Sequence, residues 1–340
     1  MLIEILLLLL GLVMILIAAE FFTNGIEAVG RHFSFSQAVV GSLLAAVGTA
    51  LPETILPIVA ILFYGGASAN EIGVGAILGA PFMLSTLAFF LVGLTVAIAS
   101  FKKRRKFELT VEIGSIKRDL SFFLVMYSAA ISMPLLFGKT VLVPLAAALV
   151  AGYCFYAYLT FRGESAEIEH AEDVYLWRII SMLPSGKTRG ERAPLAVIII
   201  QIIAALVVMI KGAHTFVASL EHISVSFGMN PLLFALLLAP VATELPEKFN
   251  SVTWTWKGRD TLAMGNITGA MVFQSTFPVS VGLLFTDWKI TGMALVSAGL
   301  AIISAVVLLY AAAVKKRISP YAVLFGGALY LFYALLLIIR

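Results

Sequence analysis

The hexapeptide Gly48-Thr49-Ala50-Leu51-Pro52-Glu53 places a carboxylate directly after a helix-breaking proline, inside a run otherwise written in Leu, Ala and Val. A variant of it, Ala242-Thr243-Glu244-Leu245-Pro246-Glu247, stands in a second apolar run. An ionisable group surrounded by hydrocarbon is costly and by default marks function. The proline withholds a backbone donor and frees a carbonyl one turn earlier, which can turn toward a cation as in discontinuous transporter helices.

The two stretches are copies. With Glu53 laid on Glu247, one constant offset holds without a gap back to Glu27 on Glu221, through Phe33 on Phe227 and Pro52 on Pro246. After a short change in loop length, Gly75-Ala76-Ile77-Leu78-Gly79-Ala80 falls on Gly265-Asn266-Ile267-Thr268-Gly269-Ala270. The chain therefore reads as a duplicated unit of roughly 150 residues, far too long a period for a solenoid.

Hydrophobic residues make up 61% of the 340, charged residues 12%, and the mean hydropathy is +1.03. Such a composition excludes a soluble domain and indicates an all-α polytopic membrane protein. Runs able to cross about 30 Å of hydrocarbon fall near 2–24, 37–64, 71–99, 120–137, 140–161, 194–220, 231–256, 260–286, 290–314 and 319–339. The expected architecture is ten transmembrane helices. Residues 2–17 lack the basic start and small-residue cleavage site of a signal peptide and are taken as the first span. Cys154 lies in an apolar run and is expected in the core, with no disulfide framework or cysteine metal site.

Eighteen of the 23 basic residues sit on alternate loops: Arg31, the 102–106 run with Lys117 and Arg118, the 162–193 segment, Lys257 with Arg259, and 315–317. That bias puts those loops in the cytoplasm and both termini outside, in a multi-pass protein of the cell membrane. Five spans per copy is an odd number, so the second copy enters from the opposite side. Two inverted five-helix halves, 1–161 and 194–340, are expected around a linker at 162–193. Inversion brings the two proline-glutamate stretches face to face near the midplane. Trp254, Trp256 and Trp288 fit interfacial anchors. The acidic linker residues Glu164, Glu167, Glu169, Glu172 and Asp173 lack the spacing of a calcium loop and read as a solvated linker.

Glu53 and Glu247 together cannot both stay bare in a low-dielectric site; protons or a cation must neutralise them. Glu244, on the same helical face as Glu247, adds a third carboxylate. Thr49 and Thr243 supply hydroxyls, and carbonyls near Pro52 and Pro246 supply further oxygens. A dehydrated calcium takes six to eight oxygens at about 2.3–2.6 Å and suits this donor set better than magnesium or zinc. Lys248 and Lys211 weigh against a purely anionic cavity, unless they point away. Glu20 and His214 occupy equivalent places and form either a second polar layer or ordinary packing. Gly75, Gly79, Gly265 and Gly269 serve close helix packing or the ion site.

Those hexapeptides resemble the two alpha repeats of the sodium/calcium exchanger family, within the calcium/cation antiporter superfamily, whose signatures read G-T-S-L-P-E and G-N-x-x-G-S-N-x-F-N or D. The likeness covers nearly the whole chain and implies an alternating-access antiporter whose first and sixth helices slide across a core bundle. By position, the family's acidic ligands fall on Glu53 and Glu247 and its threonines on Thr49 and Thr243. Its motif serines become Ala50 and Glu244, and the glycine-motif serine becomes Ala80 and Ala270. Its terminal Asn or Asp becomes Leu84 and Gln274, and Asn266 remains where its counterpart is Ala76. These losses remove sodium-site oxygens and imply fewer ions per cycle, or protons in place of sodium.

The expected function is a secondary cation antiporter exchanging Ca2+ for Na+, with Ca2+ against H+ as the alternative. Its partners are the lipid bilayer and inorganic cations; no cofactor or nucleic-acid module is read. An ion channel and an intramembrane enzyme are the rival classes. Duplicated halves with proline-broken midplane helices favour a carrier over the first, and the lack of an H-E-x-x-H stretch or a Ser–His arrangement argues against the second.

Overall fold

The computed structural model describes residues 1–33, 50–163, 174–181 and 193–339. Thr49, the start of the expected second span and the acidic linker positions 164–173 lie outside them. Among the described residues the chain is helical, without strands. Seven segments there are long and apolar enough to cross a bilayer, so the protein is multi-pass. In chain order the helices are α1 (Leu2–His32), α2 (Leu51–Ile58), α3 (Ala67–Met83), α4 (Phe89–Phe101), α5 (Ile113–Phe137) and α6 (Leu142–Gly163). They continue with α7 (Tyr175–Ser181), α8 (Leu195–Ser226), α9 (Pro231–Trp256), α10 (Asp260–Gln274), α11 (Phe277–Phe285), α12 (Gly292–Ala313) and α13 (Pro320–Ile339).

Prolines shape several of these elements. Pro57 inside α2 and Pro81 inside α3 are each followed by wider π geometry, over Val59–Tyr64 and Leu84–Ala88. A proline cannot donate to the carbonyl four residues earlier, so the ladder re-forms with a longer step. Gly65 and Gly66, at φ 75° and 95°, turn the chain between α2 and α3. The apolar segment Ile113–Thr160 spans 48 residues, about 72 Å if straight and far beyond one bilayer crossing. A 3-10 turn at Gly138–Val141 breaks it. Phe122 meets Tyr156 at 5.3 Å between ring centroids, and a Cβ on Gly152 would touch Met126, so α5 and α6 fold back on each other.

Helix directions follow from similar close approaches. Gly11 of α1 lies against Gly212 of α8, and Gly25 against Ile202, so these two long helices run antiparallel with their backbones nearly touching. Small residues permit such an approach. In α3, a Cβ on Gly75 would fall 2.2 Å from the Leu232 carbonyl, and one on Gly79 would fall 2.1 Å from that of Leu236; α3 and α9 therefore run parallel. Pro240 leaves the Leu236 carbonyl without its helical donor, and the bare Cα of Gly79 approaches that same oxygen. Gly75 and Gly79 thus serve helix packing. The core follows α3, whose face from Ile72 to Met83 is buried all round.

Two sequence expectations fail here. Trp288 is not an interfacial anchor: it is 4% exposed, its indole N–H donates to the Ala130 carbonyl at 3.0 Å, and its ring lies on Gly282. The bare glycine makes room for the ring, and burial is tolerable because the indole donor is satisfied. Cys154 is exposed on the outer face of α6 and is no core residue. A thiol is apolar enough for either place.

Candidate ion-binding site

Glu53 sits in the first turn of α2, after Ala50 and Pro52, where backbone N–H groups have no intrahelical acceptor and negative charge is favoured. It is 8% exposed, and one carboxylate oxygen is buried without a hydrogen-bond partner among the described residues. Pro57 has no N–H to give the Glu53 carbonyl, so that oxygen is also released from the helical ladder.

On α9 the polar residues arrive on successive turns. Thr243 is buried and its hydroxyl donates to the Ala239 carbonyl at 3.0 Å. Glu244 is fully buried, and neither of its oxygens has a hydrogen-bond partner among the described residues. Lys248, one helical turn later, is 1% exposed with its ammonium 3.8 Å from the Glu247 carboxylate. That separation is an ion pair without a hydrogen bond. Pro246 withholds a donor from the Ala242 carbonyl.

A cavity of about 250 Å3 joins the two stretches. It is lined by Glu53 from α2, Glu247 and Lys248 from α9, Asn266 and Gln274 from α10, and Tyr153, Tyr156 and Thr160 from α6. It has room for a cation with several waters. A second space of about 10 Å3 lies between Glu53, Ala76, Ala80 and Thr243, the size of one water. Glu244 lines neither space, yet its charge, with those of Glu247 and Lys248, acts on Glu53.

The structure thus brings Glu53, Glu247, Asn266 and Gln274 to one cavity and Thr243 to its smaller neighbour, while Thr49 lies outside the described residues. Two carboxylates line the space and the three do not close on one point: among the described residues no three Asp, Glu, His or Cys side chains form a metal-holding group. The Asn266 amide donates to Ser251 at 3.2 Å, which leaves its carbonyl oxygen for the cavity. Lys248 faces the site; Lys211 is exposed and lines neither space. Glu20 is also exposed and accepts from the Tyr175 hydroxyl at 2.9 Å, and His214 packs its ring at a tilt against Tyr64, so the two form no shared polar layer.

Sequence reasoning missed the wall that α6 contributes. Tyr156 donates to buried Asp119 at 3.0 Å, Thr268 of α10 donates to its other oxygen at 2.6 Å, and Arg118 lies 3.3 Å from it. This carboxylate ties α5, α6 and α10 together behind the cavity. The available signal was an acidic residue at the very edge of an apolar run.

A sequence model described as "Sodium/calcium exchanger protein" matches residues 3–162 and 197–340. A relative from Alkalimonas amylolytica that bears the name antiporter CaxA is 24% identical over 300 residues, which is 86% of this chain and 84% of that protein. Among solved structures, an H+/Ca2+ exchanger CAX aligns with a TM-score of 0.68 at 19% identity, covering 98% of this chain and 82% of its own. The sodium-calcium exchanger NCX_Mj aligns with a TM-score of 0.54 at 20% identity, covering 97% of each chain. With the family's sequence pattern matched over both long stretches, the chain belongs to the sodium/calcium exchanger family and is a membrane transporter, not an enzyme.

Proposed function

We propose that the protein is a secondary cation antiporter working by alternating access, exchanging Ca2+ for Na+ through the cavity between α2, α9, α10 and α6. Glu53 and Glu247 are its cation ligands, with Thr49, Thr243, Glu244, Asn266 and Gln274 supplying further oxygens or charge. The observation that carries this reading is that Glu53 and Glu247, from two proline-containing helices, line one cavity with Glu244 acting on Glu53 from α9, and that buried oxygens of Glu53 and Glu244 lack a hydrogen-bond partner among the described residues. A buried bare carboxylate is costly until a cation or proton meets it. The protein changes face only when the site is compensated.

Ten spans in two inverted halves, 1–161 and 194–340 about a linker at 162–193, are the frame for this cycle. Support comes from helix direction. α1 and α8, equivalent in the sequence repeat, run antiparallel. Residue Gly73 of α3 packs back on Pro57 and Ile61 across the Gly65–Gly66 turn, so α2 runs against α3 and therefore against its own counterpart α9, which is parallel to α3. The charged loops face the cytoplasm, and both termini lie outside the cell membrane.

One observation favours protons as the alternative counter-ion: Glu244 stands where the family has a serine, fully buried and clear of both spaces, a place suited to a proton more than to a ligand. Calcium uptake into proteoliposomes, driven first by a sodium gradient and then by a pH gradient, tests both. Uptake with sodium supports the main reading and uptake with protons alone supports the alternative. No uptake with either would defeat the antiporter account.

A further inference from the structure

We infer that Lys248 is a tethered positive charge that sets the coupling ratio, so that each calcium is exchanged for two monovalent charges and the cycle moves no net charge. The inference rests on the antiporter reading above. Glu53, Glu244 and Glu247 interact electrostatically around the cavity, and Lys248 lines it, 1% exposed and 3.8 Å from Glu247.

The count is simple. Three carboxylates and one ammonium leave a site two charges short of neutrality. One calcium fills that deficit, and so do two monovalent cations. Among the described residues no other ionic group lines the cavity: Asp119 behind the wall is compensated by Arg118 at 3.3 Å, and Lys211 and Glu20 are exposed elsewhere. Residues 34–49, outside the described residues, contain no ionisable side chain. A third monovalent ion would leave the loaded site with an uncompensated positive charge, and a buried unpaired charge is the costly state.

Lys248 is held beside carboxylates of its own helix. Glu244 lies one helical turn before it on the same side of α9, and both of its oxygens are buried without a hydrogen-bond partner among the described residues. The lysine thus neighbours a carboxylate that lines neither space and one that lines the cavity. It occupies the place of one mobile ion and cannot leave with the others.

The test uses the purified full-length chain in proteoliposomes, with the membrane potential clamped and calcium uptake followed by an entrapped indicator. Whichever gradient drives uptake, the wild type should transport at a rate unaffected by the potential, and a tenfold cation gradient should sustain about a 100-fold calcium gradient. Lys248→Met leaves the site three charges short of neutrality, which one calcium no longer fills, so calcium uptake should be lost. The double variant Glu244→Gln with Lys248→Met restores the charge count and should restore voltage-independent uptake. Voltage-dependent uptake by the wild type would overturn the inference even if neither variant folded, as would undiminished uptake by Lys248→Met. Absence of uptake by the wild type under both gradients would instead remove the antiporter reading itself.

Discussion

Replacing Arg105 by alanine should unlock the start of α10, the helix that brings Asn266 and Gln274 to the cavity. The guanidinium donates to both oxygens of Asp260 at 2.7 and 2.5 Å, to the Thr255 carbonyl at 2.7 Å and to the Glu108 carbonyl at 2.6 Å. The Asp260 side chain is fully buried, and with the arginine gone its remaining donor is the Thr110 N–H at 2.9 Å. Removing one partner of a buried pair costs about 3–5 kcal/mol, because the other charge is left uncompensated. The guanidinium is 15% exposed and one backbone donor survives, which places Arg105→Ala near the lower end, about 3 kcal/mol. For a chain of this length that corresponds to a fall of about 5 °C in melting temperature. The control is the double variant with Asp260→Asn, which removes the stranded charge and should recover part of the loss. Thermal unfolding in detergent, followed by tryptophan fluorescence, measures all three proteins. If Arg105→Ala melts with the wild type, or if adding Asp260→Asn makes it worse, the latch is not held by this pair.

Calcium at a hundredfold excess over its dissociation constant should stabilise the protein by about 2.7 kcal/mol, and chelation should remove the effect; in Glu53→Gln the calcium-dependent shift in melting temperature should disappear, and its persistence would exclude Glu53 as a ligand. Gly79→Ala puts a methyl group 2.1 Å from the Leu236 carbonyl and should cost about 1–3 kcal/mol. By contrast Gly299→Ala in α12, where no described atom lies within 4 Å, should gain about 0.5–1 kcal/mol; equal melting temperatures for the two would refute the packing argument. Lys139 pairs with exposed Asp287 at 2.5 Å and, with Lys289 nearby, holds its carboxyl below the usual range. A lowered folded-state value makes any stabilisation present at neutral pH and lost as pH falls through that lowered value. Solvent screens the pair, so the wild type should melt only marginally above Asp287→Asn at neutral pH and together with it in acid. A gap that widens in acid would reverse the assignment.

How much of this was legible in the sequence depends on whether a residue's position has to be paid for in hydration. The apolar runs located the helices because hydrocarbon thickness fixes a minimum length, and each run outside the second agrees with a described helix or helix pair. Glu53 and Glu247 could be assigned to one cavity because a carboxylate has nowhere else to go. The faces of the helices were not legible. In a soluble helix, polar residues mark the outside and give a readable period, but a membrane helix meets lipid on one side and protein on the other, and both accept Leu, Phe or Cys. On α6, Cys154 faces outward and Tyr156, two residues on, is buried against Asp119, a distinction no apolar pattern carries. Trp288 was misread for the same reason, since a ring that suits the interface also suits a pocket over Gly282. Lys248 shows where the limit falls: its charge said that it needed a partner, but Glu244 behind it and Glu247 beside it were both within reach on the helix. Only the packed structure shows that Lys248 lines the cavity with its ammonium 3.8 Å from Glu247, and under the charge count proposed above that placement turns an apparent obstacle to cation binding into a limit on how many charges the site accepts.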